Sequence, residues 1–337
     1  MRYIVCDHPG SMTLSTMESP IPKKGESLLK IHKIGICGTD IHAFNGNQPY
    51  FNYPRILGHE LAAEYVMGDA ENFIPGEALT FMPYFNCGIC VACKNERPNC
   101  CSNIKVFGVH MDGGMKEYVV VPNEYLLKGV GLSYDQLTMV EPLAIAAHGV
   151  RRGGITENDT VLVMGVGPIG LGLVAFAKIK GARVIGVDVN DFRLNFAKLK
   201  FGVDACLNPL NVNLKEELFT LTDGDMATVV IDATGNQSVI NGGLQYISHG
   251  GRYVLVGLQK GDLVFNHPEF HKRETTLLSS RNANKEDFEH VISCLKKGLI
   301  DVDSLITHRL NFSNLPELFE NISDPKNKII KAVIDVI

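Results

Sequence analysis

The sequence has no excess of positive charge. It contains 32 Lys and Arg against 37 Asp and Glu, which gives a formal net charge of −5 and a pI near 6.1. Proteins that bind nucleic acids or anionic membrane surfaces through electrostatics carry a basic patch or a basic overall charge. The charge balance therefore argues against a nucleic-acid partner and against a membrane partner.

The N-terminus lacks a hydrophobic leader. The first ten residues, MRYIVCDHPG, contain no apolar segment of the length found in secretory signal peptides. The chain also lacks internal repeats and low-complexity tracts. Nine cysteines in such a chain indicate reduced thiols and metal ligands rather than a disulfide framework. We therefore expect a cytoplasmic protein.

The chain is too long for one ordinary hydrophobic core. With 337 residues, of which 45% are hydrophobic and 20% charged, it has the size and composition of a globular protein with two domains. Residues 1–150 predict short strands separated by Pro and Gly turns, and residues 151–280 predict alternating strands and helices. Residues 281–337 predict a helix with one buried face and a final strand.

Residues 160–188 predict a strand–turn–helix–strand unit that binds a dinucleotide. An apolar run leads into a G-x-G-x-x-G turn at Gly165, Gly167 and Gly170, and a second apolar run ends at Asp188. The first glycine permits a tight turn, the second lets the backbone approach a pyrophosphate, and the third lets helix and sheet pack closely. The pyrophosphate is expected at the free N–H groups of the helix N-terminus.

The acid at the end of this unit bears on the choice of cofactor. Asp188 would accept hydrogen bonds from the adenosine ribose hydroxyls and would repel a 2′-phosphate, which favours NAD over NADP. Arg193 follows five residues later and could offset that repulsion. The sequence therefore predicts NAD, with NADP as the alternative.

Two segments in the first half of the chain contain metal-ligand residues. Cys37 lies in GICGTDIH (35–42), and His59 and Glu60 belong to the motif GHE. A thiol, an imidazole and a carboxylate are ligand types of catalytic zinc. Glu141 adds a second carboxylate, inside an apolar stretch where it needs a partner. Taken singly, Cys37 also fits a small core residue and His59 a hydrogen-bonded core histidine.

Four further cysteines, Cys87, Cys90, Cys93 and Cys101, form a separate cluster. Their close spacing lets four thiolates complete a tetrahedral shell, which is how structural zinc is held. An iron–sulfur centre is the alternative, and nothing else in the sequence indicates electron transfer. Cys100 adjoins the fourth position and could compete with it, although we expect Cys101 to be the ligand. The remaining cysteines are expected to be inert: Cys6, Cys206 and Cys294.

In their order along the chain, these motifs resemble the zinc-dependent medium-chain dehydrogenases, the family of alcohol, sorbitol and threonine dehydrogenases. The resemblance extends over essentially the whole sequence. It implies an α/β fold with a GroES-like β-rich catalytic domain over 1–150, which includes a structural zinc lobe at 87–101. It also implies a Rossmann domain with a doubly wound parallel sheet over 151–280, and a segment 281–337 that returns to the catalytic domain. The family further implies a homo-oligomer, either a dimer or a tetramer.

The resemblance assigns roles to single residues of the first domain. The positions that match catalytic zinc ligands are Cys37, His59 and Glu60. Glu141 falls where polyol-oxidising members place a glutamate at or beside the metal, and which glutamate binds directly stays open. Thr39 matches the hydroxyl residue of the family's proton relay, and His42 matches the surface end of that relay. Two zinc ions per chain, one catalytic and one structural, are implied.

The resemblance also assigns positions that bind NAD. Within and after the glycine turn these are Gly165, Gly167, Pro168, Ile169, Gly170, Asp188 and Arg193. Two later segments fall near the nicotinamide: Val256, Gly257 and Leu258 in one, and Ser280 and Arg281 in the other.

Within the family, the sequence is most similar to bacterial sugar-acid dehydrogenases of the L-galactonate 5-dehydrogenase type. This likeness depends on four segments: GNQP (46–49), YPRILGHE (53–60), GVHMDGG (108–114) and FHKRETTLLSSRNA (270–283). A substrate with several hydroxyl groups needs several polar partners. The candidates are His42, Asn45, Asn47, Gln48, His110, Arg281 and Asn282. We therefore predict a small-molecule substrate, a sugar acid oxidised at a secondary hydroxyl, with a neutral polyol, a sugar or a simple alcohol as the alternative.

Three other functions share parts of the pattern. A zinc-free reductase of the quinone-reductase type would share the fold but would not need Cys37, His59 or the four-cysteine cluster. A zinc protein that binds nucleic acid would share the cluster but not the acidic charge. An inactive, cofactor-sensing regulator would not need the relay residues Thr39 and His42. A dehydrogenase accounts for all of these features.

Overall fold

The structure is a computed structural model and describes residues 1–48, 51–322 and 324–337. Pro49, which belongs to the GNQP segment, lies outside the described residues. The chain divides into two compact units, one of Met1–Pro142 with Asn284–Ile337 and one of Leu143–Ala283. The first division, between residues 142 and 143, falls inside the helix Val140–Arg152, a few residues before the predicted boundary at residue 150.

The strands and helices are numbered in chain order. The strands are β1 (Arg2–His8), β2 (Ser11–Thr16), β3 (Glu26–Gly35), β4 (Glu60–Gly68), β5 (Ala78–Phe81), β6 (Tyr84–Phe85), β7 (Lys105–Val106), β8 (Tyr118–Pro122), β9 (Leu126–Lys128), β10 (Thr160–Met164), β11 (Arg183–Val187), β12 (Ala205–Leu207), β13 (Ala227–Asp232), β14 (Ile247–Leu255), β15 (Thr276–Ser279), β16 (Ile306–Asn311) and β17 (Lys331–Asp335). The helices are α1 (Gly38–Phe44), α2 (Val91–Lys94), α3 (Tyr134–Thr138), α4 (Val140–Arg152), α5 (Pro168–Ile179), α6 (Asp191–Phe201), α7 (Leu214–Leu221), α8 (Gln237–Gly242), α9 (His267–Lys272), α10 (Lys285–Lys296), α11 (Val302–Leu305) and α12 (Leu315–Ile322). In the part of the chain that is described, none of the helices has the length and apolar character needed to cross a membrane.

The second unit contains a six-stranded parallel sheet. Its strand order is β12-β11-β10-β13-β14-β15, and every neighbouring pair runs parallel. The strand order reverses beside β10, and such a switch point is where open α/β sheets bind ligands. The central strands are continuous buried apolar runs, such as 161–164, as expected for a parallel sheet covered by helices. The predicted Rossmann architecture is confirmed.

The turn after β10 requires glycine at two positions. Gly165 has a φ of +87°, in the left-handed region that favours glycine. At Gly170 a Cβ atom would overlap the carbonyl oxygen of Gly165, so the first turn of α5 lies directly against the loop that precedes it. Pro168 is the first residue of α5, where its missing N–H and fixed φ suit the helix start. The helix N-terminus is thereby held at the carboxyl end of β10.

The first unit is built on a seven-stranded mixed sheet. Its strand order is β16-β17-β3-β4-β5-β9, and β8 also pairs with β3. β3 pairs antiparallel with β4 on one side and with β17 on the other. The last strand of the chain therefore lies inside this sheet, and residues 284–337 complete the unit that residues 1–142 begin.

Each unit has its own hydrophobic core. In the first unit, alternate residues of β3 such as Leu29 and Ile31 are fully buried and pack with Phe319 of α12. In the second unit, Leu162 of β10 and Tyr253 of β14 belong to a separate cluster. The two cores explain why a chain of this length folds as two units.

Candidate active site

The predicted ligand segments of the first unit are joined by Asp40. Cys37 directly precedes α1, and its backbone N–H donates to Asp40 Oδ2 at 2.9 Å. The backbone N–H of Gly58 donates to Asp40 Oδ1 at 3.1 Å, and the same oxygen lies 3.9 Å from His59 Nδ1. Burial raises the pKa of Asp40, which is 1% exposed. One buried carboxyl group thus connects the Cys37 turn to the turn that carries His59.

The ligand atoms of three predicted residues converge at this point. A sulfur of Cys37, a ring nitrogen of His59 and a carboxylate oxygen of Glu60 lie within 4.8 Å of one another. His59 and Glu60 are buried, and His59 Nδ1 makes no hydrogen bond. Asp40 Oδ1, at 3.9 Å, is an ion-pair partner of this nitrogen but is too distant for a hydrogen bond.

Glu60 is paired with a buried lysine. It is the first residue of β4 and lies opposite Gly35 of β3, where a Cβ atom would overlap Glu60 Oε2. Lys331, the first residue of β17, forms an ion pair with that oxygen and donates to the Ile36 carbonyl at 3.0 Å. Burial lowers the pKa of Lys331, but Glu60 raises it, and the net shift is upward. The lysine is therefore charged and compensates one carboxylate.

Glu141, in the first turn of α4, interacts electrostatically with His59 and Glu60 but is not among the three residues whose ligand atoms converge. It is 2% exposed, and its Oε1 accepts a hydrogen bond from the Tyr84 hydroxyl. Its other oxygen, Oε2, is buried without a hydrogen-bond partner. Burial raises the pKa of Glu141 to about 7, and the neighbouring Glu60 adds to the shift. Glu141 thus contributes an unpaired oxygen to a group of predicted metal ligands.

Negative groups around His59 raise its pKa. Burial on its own would lower the pKa of His59, but Cys37, Asp40 and Glu141 raise it well above the ordinary value. These negative groups therefore favour the protonated imidazole in the metal-free protein. A metal ion that binds here must displace that proton.

The donor set fits a zinc ion. One thiolate, one imidazole and one or two carboxylates can hold catalytic zinc and leave a position for the substrate. Lys331 is a single positive charge within a group of acidic side chains and a thiol. A divalent cation would supply the remaining positive charge, and it could contact His59 Nδ1 or Glu141 Oε2, neither of which makes a hydrogen bond.

The two predicted relay residues lie on α1. Thr39 and His42 are three positions apart and therefore on the same side of the helix. Thr39 is half-buried and His42 is exposed. Thr39 lies two residues after Cys37, and His42 lies on the exposed part of the helix.

Some polar residues that we predicted to contact the substrate also have local structural features. His110 Nδ1 accepts a hydrogen bond from the Val106 N–H at 3.0 Å and so closes the turn after β7. The Asn47 N–H donates to the His42 carbonyl at 2.8 Å in the turn after α1. Asn282 has a φ of +51°, a left-handed conformation that asparagine tolerates. His110 and Asn282 therefore have structural reasons for their residue type, whereas the Asn47 bond involves only its backbone.

The second predicted metal site consists of Cys87, Cys90, Cys93 and Cys101. Their Sγ atoms lie within 4.8 Å of one another, with Cys90 and Cys93 3.4 Å apart and Cys87 and Cys101 3.5 Å apart. Four thiolates about 2.3 Å from a zinc ion are about 3.8 Å from each other. The separations suit a shared ion and are too long for disulfide bonds. Cys100 is exposed and lies outside this group.

Backbone N–H groups stabilise thiolates at this site. Those of Cys93 and Ser102 donate to Cys90 and lower the pKa of its thiol to about 5. Backbone hydrogen bonds also lower the pKa of Cys87. Burial raises the pKa of Cys101 to about 11. An incoming zinc ion would therefore find ionised Cys90 and would displace a proton from Cys101.

In the second unit, Asp188 lies at the glycine turn. Its Oδ2 accepts from the Val166 N–H at 3.0 Å and its Oδ1 from the Asn190 N–H at 2.9 Å. The Arg193 guanidinium lies 3.8 Å from Asp188 Oδ2, and 3.8 Å from where a Cβ on Gly167 would be. Asp188 and Arg193 therefore both lie beside the predicted glycine turn.

The other predicted cofactor positions follow the carboxyl ends of strands in the same sheet. Residues 165–170 follow β10, residues 256–258 follow β14, and residues 280–281 follow β15. Ser280 Oγ is buried without a hydrogen-bond partner. This edge of a doubly wound sheet is where dinucleotides bind.

Three side chains of the first unit have roles that we did not predict from the sequence: Asp40, Tyr84 and Lys331. Asp40 lies within GICGTDIH, where an acid between ligand segments was an available signal. Lys331 is a charge inside the apolar run IIKAVIDVI, which also required an explanation. Tyr84 had no such signal, because a tyrosine near a strand is an ordinary core residue.

Two family models match the chain. The model for the alcohol dehydrogenase GroES-like domain matches residues 23–131, and the model for zinc-binding dehydrogenase matches residues 168–297. The first range contains Cys37, His59 and the four-cysteine cluster. The second contains most of the predicted dinucleotide-binding unit.

Full-length relatives agree with the family models. The chain is 43% identical to L-galactonate-5-dehydrogenase of Escherichia coli K12 over 339 residues, which cover 99% of this chain and 98% of the relative. The structure of alcohol dehydrogenase RspB from E. coli CFT073 with NADH is 34% identical and has a TM-score of 0.92. The match covers 100% of this chain and 99% of that chain. A zinc-binding dehydrogenase from Sinorhizobium meliloti, bound to NADP, is 26% identical, with a TM-score of 0.93 and coverage of 99% of both chains.

Replacing Cys90 by Ser should remove one of the two expected zinc equivalents. We also expect the melting temperature to fall by about 10 °C or more, because zinc binding at such a site is coupled to folding. Metal analysis and thermal denaturation of the purified protein measure the two effects. Cys100→Ser, an exposed neighbour, is the control and should keep both zinc ions. A Cys90→Ser protein with two zinc ions and unchanged stability would contradict the assignment.

Zinc binding at the Cys37–His59 cluster should weaken as the pH falls. The metal-free protein favours protonated His59, and Glu141 takes up a proton as the pH falls through about 7, so both protons oppose the ion. Chelator competition across roughly pH 6 to 8 measures the affinity. The Glu141 carboxyl group contributes about half a proton to the pH dependence of zinc affinity at its pKa. In Glu141→Gln this contribution should disappear. An affinity that does not change with pH would refute this reading.

Proposed function

We propose that this chain, which belongs to the family of zinc-binding alcohol dehydrogenases with a GroES-like domain, oxidises a secondary hydroxyl of a sugar acid with NAD. The observation that carries the proposal is the convergence of the ligand atoms of Cys37, His59 and Glu60 within 4.8 Å of one another, where a divalent metal could bind. The parallel sheet with its glycine turn provides the site for the hydride acceptor.

The two ligand sets would hold two zinc ions with different tasks. Cys37, His59 and one glutamate would hold the catalytic ion, and the four-cysteine cluster would hold a structural one. When bound, a catalytic zinc polarises a hydroxyl oxygen and lowers the pKa of that hydroxyl by several units. Lys331 supports this chemistry because it neutralises Glu60, so the cluster retains less negative charge that would oppose polarisation.

Residues of α1 would remove the hydroxyl proton. The Thr39 hydroxyl would accept it from the substrate, and the exposed His42 would release it to solvent. The proposal is supported by the position of Thr39, two residues after the predicted ligand Cys37.

The second unit would bind and orient NAD. Backbone N–H groups at the start of α5 would bind the pyrophosphate, and Asp188 would bind the adenosine ribose. Residues 256–258 and 280–281 follow neighbouring strands and would contact the nicotinamide. Bound NAD accepts the hydride from the carbinol carbon, and the chain contributes alignment of the ring.

A sugar acid is the substrate class that the relatives favour. The 43% identity to an L-galactonate-5-dehydrogenase extends over nearly the whole of both chains. Arg281 is a candidate partner for the substrate carboxylate, and a cofactor contact is its alternative role. A neutral polyol or sugar is the second candidate, because a glutamate at position 141 does not require an acid group on the substrate.

We also propose a cytoplasmic location and a homodimer or homotetramer. The cysteines of the chain are free thiols, which suits a reducing compartment. The assembly is an expectation from the family, and light scattering coupled to size-exclusion chromatography measures it.

The cofactor preference should depend on Asp188. Replacing it by Ala should lower kcat/KM with NAD by about 10- to 100-fold, because charge-assisted hydrogen bonds to the ribose are lost. The value with NADP should rise, because the repulsion of the 2′-phosphate is removed. Asp191→Ala, an acid on α6 that faces Asn208, is the control. Equal use of both cofactors by the unmodified protein would mean that Arg193 neutralises Asp188.

NADH formation across a substrate panel tests the function itself. L-Galactonate and related aldonates should be oxidised with a kcat/KM at least about 100-fold above ethanol or benzyl alcohol, because apolar alcohols leave the polar groups of the pocket unpaired. Polyols and free sugars should fall between these groups. Cys37→Ser should lose activity with every compound. Fast oxidation of simple alcohols without any activity on polyhydroxy compounds would overturn the proposed substrate class.

A further inference from the structure

Glu141 is fixed at only one of its two oxygens. The Tyr84 hydroxyl donates to Oε1, whereas Oε2 has no hydrogen-bond partner. Both side chains are buried, so water does not compete for either oxygen. A carboxylate that is held in this way cannot rotate freely, and its second oxygen therefore has a defined direction.

Tyr84 is itself held by its surroundings and not only by Glu141. It lies on β6, where it pairs with Val106 of β7. Its ring meets the ring of Phe288 edge-on, with the centroids 6.1 Å apart and the planes at 67°. β6 and β7 flank the loop that contains the four cysteines, and Cys87 follows Tyr84 by three residues. The position of the hydroxyl is therefore set by packing and by the base of the cysteine loop.

The Glu141 carboxyl group is also close enough to the predicted ligands to interact with them electrostatically. Glu141 interacts electrostatically with His59 and Glu60, two of the predicted ligands, and with Lys331. Lys331 already makes an ion pair with Glu60 and a hydrogen bond to Ile36. Oε2 is thus a buried acceptor on a side chain near the predicted ligands. Among the described residues, it has no hydrogen-bond donor.

We propose that Tyr84 is a positioning residue of the metal centre, whose hydroxyl holds Glu141 by Oε1 and directs Oε2 towards an ion bound by Cys37 and His59. The proposal rests on the proposed metal site, but not on the identity of the substrate. Outer partners that orient metal-binding side chains typically change metal affinity or activity by about 10- to 100-fold when removed.

Tyr84→Phe tests the proposal because it removes only the hydroxyl. We expect the second zinc equivalent to bind about 10- to 100-fold more weakly in chelator competition, and kcat to fall by a similar factor. KM should change by less than about twofold, because Tyr84 acts on the metal centre and not on substrate binding. Tyr65→Phe is the matched control: Tyr65 is a buried tyrosine on β4 that stacks on Phe73, and its variant should keep the affinity of the unmodified protein.

A double variant distinguishes positioning from general packing. If Tyr84 acts through Glu141, adding Tyr84→Phe to Glu141→Gln should change zinc affinity by less than about twofold. Additive losses in the double variant, or a Tyr84→Phe protein with normal zinc affinity, would overturn the proposal. If the unmodified protein binds zinc only at the four-cysteine cluster, the proposed catalytic metal site fails, and the role of Tyr84 fails with it.

Discussion

Burial of several negative groups in one place is the constraint on which the first unit depends. Asp40, Glu60 and Glu141 are each 2% exposed or less, and Cys37 adds a thiol beside them. Like charges in a poorly solvated site destabilise one another, so such a cluster requires cations or retained protons. Lys331 supplies one positive charge, and the raised pKa values of His59 and Glu141 show that the metal-free protein retains protons. A divalent ion satisfies the same requirement and makes the cluster chemically useful.

The path of the chain follows from this requirement. The compensating lysine comes from β17, which lies between β16 and β3, although it is the last strand in the sequence. Glu60 begins β4 on the other side of β3, and Gly35 leaves room for its carboxylate. Residues 284–337 must therefore return to the first unit to complete the site. The Rossmann unit is an insertion between two parts of one sheet-based unit.

Features built from neighbouring residues could be predicted from the sequence, whereas contacts between distant segments could not. The glycine turn, Asp188 and the four cysteines each lie within one short stretch, and the alternation of strands and helices implies the parallel sheet. The Tyr84–Glu141 contact joins residues 57 positions apart, and no periodicity relates them. His110 shows a different limit, because the sequence does not reveal that its Nδ1 closes a local turn.

The central claim is that Cys37, His59 and a glutamate form a metal site in addition to the four-cysteine site. Diffraction data collected on both sides of the zinc absorption edge, from crystals of the zinc-loaded protein, test it most directly. The account predicts two anomalous peaks per chain, one in the four-cysteine cluster and one about 2.3 Å from Cys37 Sγ and about 2.1 Å from a His59 ring nitrogen. A single peak, confined to the four-cysteine cluster, would contradict it.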